Sequence, residues 1–363
     1  MSRRLNVAVV GLGIGRSHLD AFASLPELFE IRAVCDLDAD KCSAAVATFG
    51  PRVAALSFSE LLAARDIDII DICTPPGAHR TLIEQALAAG FHVICEKPLT
   101  GSLADADAIG KAAFAAKGTL SPIFQYRFGA GLQKLKLLQA KGLCGIPYLT
   151  TIETSWRREA GYYAVPWRGK WDTELGGCCL AHAIHAHDIL SYVNGPVKSV
   201  FARLATRVNA IEVEDCAAIA VEMANGSLAT LAATLGATEE LSRLRFMFSN
   251  VTVESRSSHP YRVGDDPWHF KGMTPAIDAA IAAAFAEFQP APESFAGQFA
   301  RLHAALTGSA PMPVTFADAR ASLELITAIY HSAATETCVH LPIASNHPKY
   351  QSWIPESRRW KTL

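Results

Sequence analysis

GLGIGRSH (residues 11–18), CEKPLTG (95–101) and LGGCCLAHAIHAHDIL (175–190) are three stretches of this 363-residue chain whose residue types and spacing can do chemistry. In the first, Gly11, Gly13 and Gly15 read G-x-G-x-G, with Arg16 where a last small residue would complete the usual dinucleotide-binding spacing. Glycines let a backbone approach a pyrophosphate, and the helix N-terminus that follows favours negative charge. In the second, Glu96 and Lys97 follow an apolar run. The pair reads either as a surface ion pair or as a lysine placed to hydrogen-bond a reacting oxygen beside a cofactor. In the third, His182 and His185 stand three apart on a predicted helix and share a face. A histidine titrates near neutrality and can take a hydroxyl proton as hydride leaves carbon. A nearby lysine would stabilise the alkoxide and hold the histidine's pKa down.

Other residues extend these stretches. The second apolar run ends in Asp36, an acid placed to accept ribose hydroxyls and to repel a 2′-phosphate. NAD is therefore expected over NADP, although Arg32 or Lys41 could neutralise a phosphate. Gly15 and the Arg16–Ser17 backbone would stand in for the missing loop position. TPPGAH (74–79) offers the Thr74 hydroxyl on a turn stiffened by Pro75 and Pro76. WRREAGYYAVPWRGKWDTELGG (156–177) mixes Trp156, Tyr162, Tyr163, Trp167 and Trp171 with Arg157, Arg158 and Arg168. Such a cluster is either packing or a sugar site, since aromatic faces stack on sugar rings and arginines bind hydroxyls or carboxylates. Asp172 would bind hydroxyls or cap the segment after it. Cys178, Cys179, His182, His185 and His187 are metal-ligand types, but adjacent cysteines rarely share an ion and helical register turns His187 away. No metal is expected.

The elements that must position these residues are legible as well. Apolar runs at 6–10, 29–35, 67–73, 91–95 and 120–124 alternate with helical periodicity, closed at Gly90 in one case, which predicts a parallel doubly wound sheet. Beyond residue 123 strands follow one another, with an Asn225-Gly226 turn between two of them, and predict a large open, mainly antiparallel sheet. Helices return at 294–308 and 316–333. The expectation is an α/β protein with a dinucleotide-binding domain at 1–123 and a substrate-binding and oligomerisation domain at 124–363.

Composition limits the alternatives. Half the residues are hydrophobic and 19% charged, with 33 basic against 35 acidic side chains. That is globular composition with no basic footprint for nucleic acid. No apolar run is long enough to span a bilayer. Arg3, Arg4 and the run after them resemble a secretory signal only superficially, because glycines and charges break it. Nine cysteines without a C-x-x-C pair fit a reducing cytoplasm.

AGFHVICEKPL (89–99) resembles the E-K-P motif of the glucose–fructose oxidoreductase/inositol dehydrogenase (Gfo/Idh/MocA) family. The likeness extends to the glycine loop ending in His18, TPPGAH, QYRF (125–128), the 175–190 stretch and MPVTFADARASLELITAIYHSA (312–333). It implies a Rossmann domain, a second α/β domain through whose sheet members pair as homodimers or homotetramers, and hydride transfer to or from a sugar, inositol or polyol carbon. Lys97 corresponds to the catalytic lysine and His185 to the acid/base histidine, with His182 an alternative base. Ala181 stands where many members carry Asp or Asn, so Asp188 would orient a histidine or be structural. The resemblance adds Ile14, His79, Glu96 and Gln125 to the cofactor site and Arg127 to the substrate site. Two other functions suit the same motifs: cleavage of glycosides by transient oxidation with retained NAD, and ligand sensing without catalysis. GDDPWHF (264–270) would edge the pocket, and HPKYQSWIPE (347–356) would be an ordered tail, docked on a partner subunit or lying on the surface.

Overall fold

Short runs such as IIDI can be buried on both sides only between covering layers of helix, and the first apolar runs do form such strands. The computed structural model describes residues 3–256, 259–308 and 310–356. The strands β1 (Leu5–Val10), β2 (Phe29–Cys35), β3 (Ala54–Ala55), β4 (Ile69–Ile72), β5 (His92–Cys95) and β6 (Leu120–Pro122) form one parallel sheet. Its order is β3-β2-β1-β4-β5-β6. The winding reverses between β1 and β4, where open parallel sheets bind ligands beyond their carboxyl ends. Val10 pairs with both Cys35 and Ile72, and Ile72 with Cys95. This register brings Gly11, Asp36, Cys73 and Glu96 to one edge, each directly after its strand.

The chain separates into two units: residues 1–124 with 295–320, and residues 125–294 with 321–363. The sequence reading had two contiguous stretches and did not foresee the return of 295–320 to the first unit. Packing explains it. Phe299, on the helix Ser294–Leu306, stacks on Phe22 at 4.1 Å in the core of the parallel sheet's unit. On the same helix, Gln298 accepts from the Phe124 N–H and donates to the Pro122 carbonyl, which secures the end of β6.

The second unit holds β7 (Pro147–Arg157), β8 (Val197–Ala205), β9 (Cys216–Met223), β10 (Leu228–Thr234), β11 (Gly236–Phe248), β12 (Val251–Ser255), β13 (Trp268–Gly272) and β14 (Val339–His340). They form one sheet in the order β13-β12-β11-β7-β10-β9-β8-β14. Among the described residues of this sheet, only β7 and β10 pair in parallel. Asn225-Gly226 makes the β9–β10 turn, with Gly226 at φ 84°. Alternate residues of β10 are buried and exposed, the pattern of a sheet with one covered face. Asn194, ending the helix Ile184–Asn194, donates to Thr150 of β7.

In GDDPWHF, Trp268 opens β13: it is buried, donates to the Val263 carbonyl, and stacks with Phe246 and Phe270. The 347–356 segment is an ordered tail: Trp353 is buried and donates to the Leu175 carbonyl at 2.7 Å. No described helix is long and apolar enough to cross a membrane.

Candidate active site

In the first unit the glycine loop leaves β1 and opens the helix Gly15–Ala23, whose N-terminus has no side-chain cap. Of its first N–H groups, that of Ser17 donates to the Ile14 carbonyl at 2.9 Å. Gly11, at φ 92°, lies so close to the next loop that a Cβ would meet the Cys73 carbonyl at 2.8 Å. A Cβ on Gly13 would meet nothing within 4 Å. One glycine lets the loops pack; the other presents bare backbone to open space, as a diphosphate requires. Asp36 Oδ2 accepts the Leu12 N–H at 2.6 Å and Oδ1 the Asp38 N–H at 2.9 Å. Each oxygen keeps a lone pair for a ribose hydroxyl. The buried Thr74 Oγ1 has no hydrogen-bond partner. This donor and acceptor set fits a dinucleotide. Ile14 is exposed at the loop tip, and the Arg16 side chain reaches Thr48 over the Phe49 ring. The Arg16 N–H is spent on the Gly13 carbonyl at 3.3 Å, so it does not replace the missing loop position.

Two residues expected at the cofactor are occupied elsewhere. Both ring nitrogens of the buried His79 face carbonyls, Thr74 O at 2.7 Å and Pro98 O at 3.0 Å, tying the Pro75-Pro76 turn to the E-K-P loop. Glu96 is buried too: Oε2 accepts the Lys97 N–H at 3.0 Å and Oε1 lies 3.1 Å from His18 Nε2. The other His18 nitrogen is 2.7 Å from Asp71 Oδ2. Burial alone would lower the His18 pKa, but the Asp71 carboxylate outweighs it and holds the imidazole well above its ordinary value. Burial likewise pushes Glu96 up, and contact with His18 and Lys97 brings it below the usual range. A group whose pKa is raised on folding contributes stability below its unfolded value, near 6.5, and loses it as pH rises through the folded value. Thermal unfolding should therefore show an alkaline loss of stability that His18→Gln removes.

In the second unit the histidines are not on one continuous helix, as their spacing had suggested. Cys178–His182 forms a π-helical turn and the α-helix begins at Ile184. Glu214 shapes that turn by accepting the N–H groups of Gly177 and Cys179 and the Tyr330 hydroxyl, all at 3.0 Å. Burial still pushes its carboxyl up to about 7. A Cβ on Gly177 would lie 1.8 Å from the Glu214 carbonyl oxygen, which demands glycine there. His185 stacks on Tyr126 with centroids 4.4 Å apart; His182 meets Trp156 edge-on at 5.5 Å and lies 5.7 Å from Tyr162. His187 is fully enclosed, and burial lowers its pKa to about 4. Among the described residues Cys178 and Cys179 group with Glu214, not with the histidines.

Arg127, expected at the substrate, instead forks onto Asp188 at 2.7 and 2.6 Å, with both side chains buried. Arg127→Met should leave Asp188 as an uncompensated buried charge and cost about 3–5 kcal/mol in denaturant unfolding. The aromatic–arginine cluster divides in two. Trp156 and Trp171 are buried. Arg168 lies over Tyr162 at 4.0 Å and Trp167 at 4.2 Å, and Tyr163 lines a cavity of about 680 Å³ with Arg158 and Asn209. Asp172 is exposed on the short helix Trp171–Glu174. Gln125 opens the turn before Arg127, and its buried Oε1 has no hydrogen-bond partner.

Comparison with known proteins gives this arrangement a family. Residues 5–124 match the oxidoreductase family with an NAD-binding Rossmann fold, and residues 132–271 match the GFO/IDH/MocA C-terminal domain. The chain belongs to the Gfo/Idh/MocA family. Oxidoreductase YrbE of Bacillus subtilis is 30% identical over 238 residues, 64% of this chain and 67% of YrbE. D-apiose dehydrogenase of Paraburkholderia graminis is 30% identical over 234 residues, 62% of this chain and 59% of that enzyme. The chain thus spans about two thirds or less of the curated relatives it matches. The WlbA dehydrogenase from Bordetella pertussis, solved with NADH and UDP-GlcNAcA, superposes with a TM-score of 0.81 at 29% identity, covering 94% of this chain and 100% of WlbA. As a Gfo/Idh/MocA member the protein is an NAD-binding oxidoreductase, and the open Gly13 turn and Thr74 hydroxyl suit that cofactor. Sequence reading missed Asp71, Glu214 and Trp353, and saw His18 only as the end of a motif. A polar residue inside the apolar run 67–73 was the available signal for Asp71.

Proposed function

We propose that this oxidoreductase is an NAD-dependent dehydrogenase that moves hydride between nicotinamide C4 and a carbinol carbon of a sugar, inositol or related polyol. The observation that carries the reading is the place of Lys97. It follows β5 with its backbone N–H secured by Glu96, at the same sheet edge as the bare Gly13 turn and the unpartnered Thr74 hydroxyl. The relatives support the substrate class, being named for apiose or solved with UDP-GlcNAcA.

NAD supplies the hydride acceptor when bound. The N–H groups at Gly13, Ile14 and Gly15 take the diphosphate, Asp36 the adenosine ribose, and Thr74 and the Gln125 amide the nicotinamide end. Lys97 donates a hydrogen bond to the carbinol oxygen and steadies it as negative charge develops. His185 takes the hydroxyl proton. His182, Tyr163, Trp167, Arg168 and Asp172 select the substrate through ring stacking and hydroxyl contacts. Assay of purified protein against a panel of sugars and polyols, with NAD and NADP in parallel, tests this by NADH absorbance. Turnover of at least one polyol with NAD preferred is expected; none with any carbinol substrate overturns it.

The exposed face of the second sheet is the proposed contact between copies. Ala218, Ala220 and Ala232 make a flat area with the exposed Phe201 and Leu228 nearby. Ala220→Arg should convert an oligomer to monomer in light scattering, because an unpaired charge would be buried at the contact.

A further inference from the structure

Beside the Lys97 loop lies a chain of buried ionisable groups: Asp71 on β4, His18 on the helix Gly15–Ala23, and Glu96 after β5. We propose that His18, bridging Asp71 and Glu96 through its two ring nitrogens, is a positioning residue for Lys97. It holds the Glu96 carboxylate, whose second oxygen receives the Lys97 backbone N–H. This deepens the dehydrogenase reading and rests on Lys97 acting as assigned there.

The geometry is closed on every side. His18 is fully buried, with Asp71 Oδ2 at 2.7 Å, Glu96 Oε1 at 3.1 Å and the Cys73 sulfur at 3.3 Å. The Cys73 thiol stays protonated, because burial raises it. The helix Ser294–Leu306 covers the ring with Phe295 at 4.3 Å and Phe299 at 5.4 Å. Two carboxylates on opposite nitrogens require both to donate, so the ring is an imidazolium between two anions. A buried Glu96 without that cation must take up a proton or turn toward solvent. Protonation weakens the bond from the Lys97 N–H and turning away breaks it, and both remove the negative charge that acts on Lys97. A buried ion pair is weak evidence for stability, so function is the better account of this one.

The test uses the full chain. Nuclear magnetic resonance of wild-type protein with ¹⁵N-labelled histidine should show both His18 nitrogens protonated at neutral pH. A singly protonated ring overturns the proposal even if every His18 variant misfolds. His18→Gln should lower kcat by up to about 100-fold, the scale of a catalytic group misplaced by 1 Å. NAD affinity should stay within about twofold, separating chemistry from cofactor binding. Glu96→Gln should give the same defect, and the double variant no more than either single one, as expected of residues acting as a unit. Wild-type kcat in His18→Gln, or additive losses in the double variant, would overturn it. If the wild type turns over no carbinol substrate, the dehydrogenase assignment has failed; if Lys97→Met is fully active, the catalytic role of Lys97 has; if Lys97→Met is dead and His18→Gln normal, only the positioning role has.

Discussion

Lys97→Met should lower kcat by ~10²–10⁴-fold, the range for a positioned acid–base or oxyanion group, while NAD affinity measured by fluorescence titration stays near that of the wild type. Methionine keeps much of the stem's volume and removes only the ammonium, so packing is retained. The backbone N–H bond to Glu96 also survives. The loss should therefore appear in turnover. Near-normal turnover would leave Lys97 as the surface member of an ion pair with Glu96, the plain alternative its sequence always allowed.

His185→Ala should be comparably severe, ~10²–10⁴-fold in kcat, and His182→Ala should differ in kind. His185 sits at the start of the helix Ile184–Asn194, stacked on Tyr126, one turn before Asp188. The Arg127–Asp188 fork anchors that turn, and a base held by rigid backbone is what proton transfer needs. His182 ends the π-helical turn against Trp156 and Tyr162, beside the aromatic–arginine cluster. Its loss should raise KM with a smaller change in kcat, the mark of weakened binding in ground and transition state alike. Steady-state kinetics of the two variants decides between them. A kcat collapse in His182→Ala with His185→Ala active would exchange their roles.

Much of the candidate site was legible because its chemistry is local. The glycine loop, Asp36 and the Glu96-Lys97 pair each follow an apolar run, and register alone brings them to one edge. Reading failed where a side chain turns away from the place its motif suggests. His79 and Glu96 follow strands at the cofactor edge, yet both are buried, His79 against the Thr74 and Pro98 carbonyls and Glu96 against His18 and the Lys97 N–H. Arg127 likewise faces Asp188, 61 positions away in sequence. No spacing rule announces a partner at that distance.

Local sequence was enough for the two architectures, the parallel sheet and the open sheet, because periodicity of two against 3.6 and the placing of glycines are properties of neighbouring residues. It also determined which residue types stand after which strand. Only the tertiary structure decided which of them remain available. It shut His79, Glu96 and Arg127 into the interior, broke the predicted histidine helix at Ala183, and returned residues 295–320 to the first sheet. The physical reason is the cost of an unsatisfied buried polar group, which is settled by whichever partner the fold brings near, however distant in the chain.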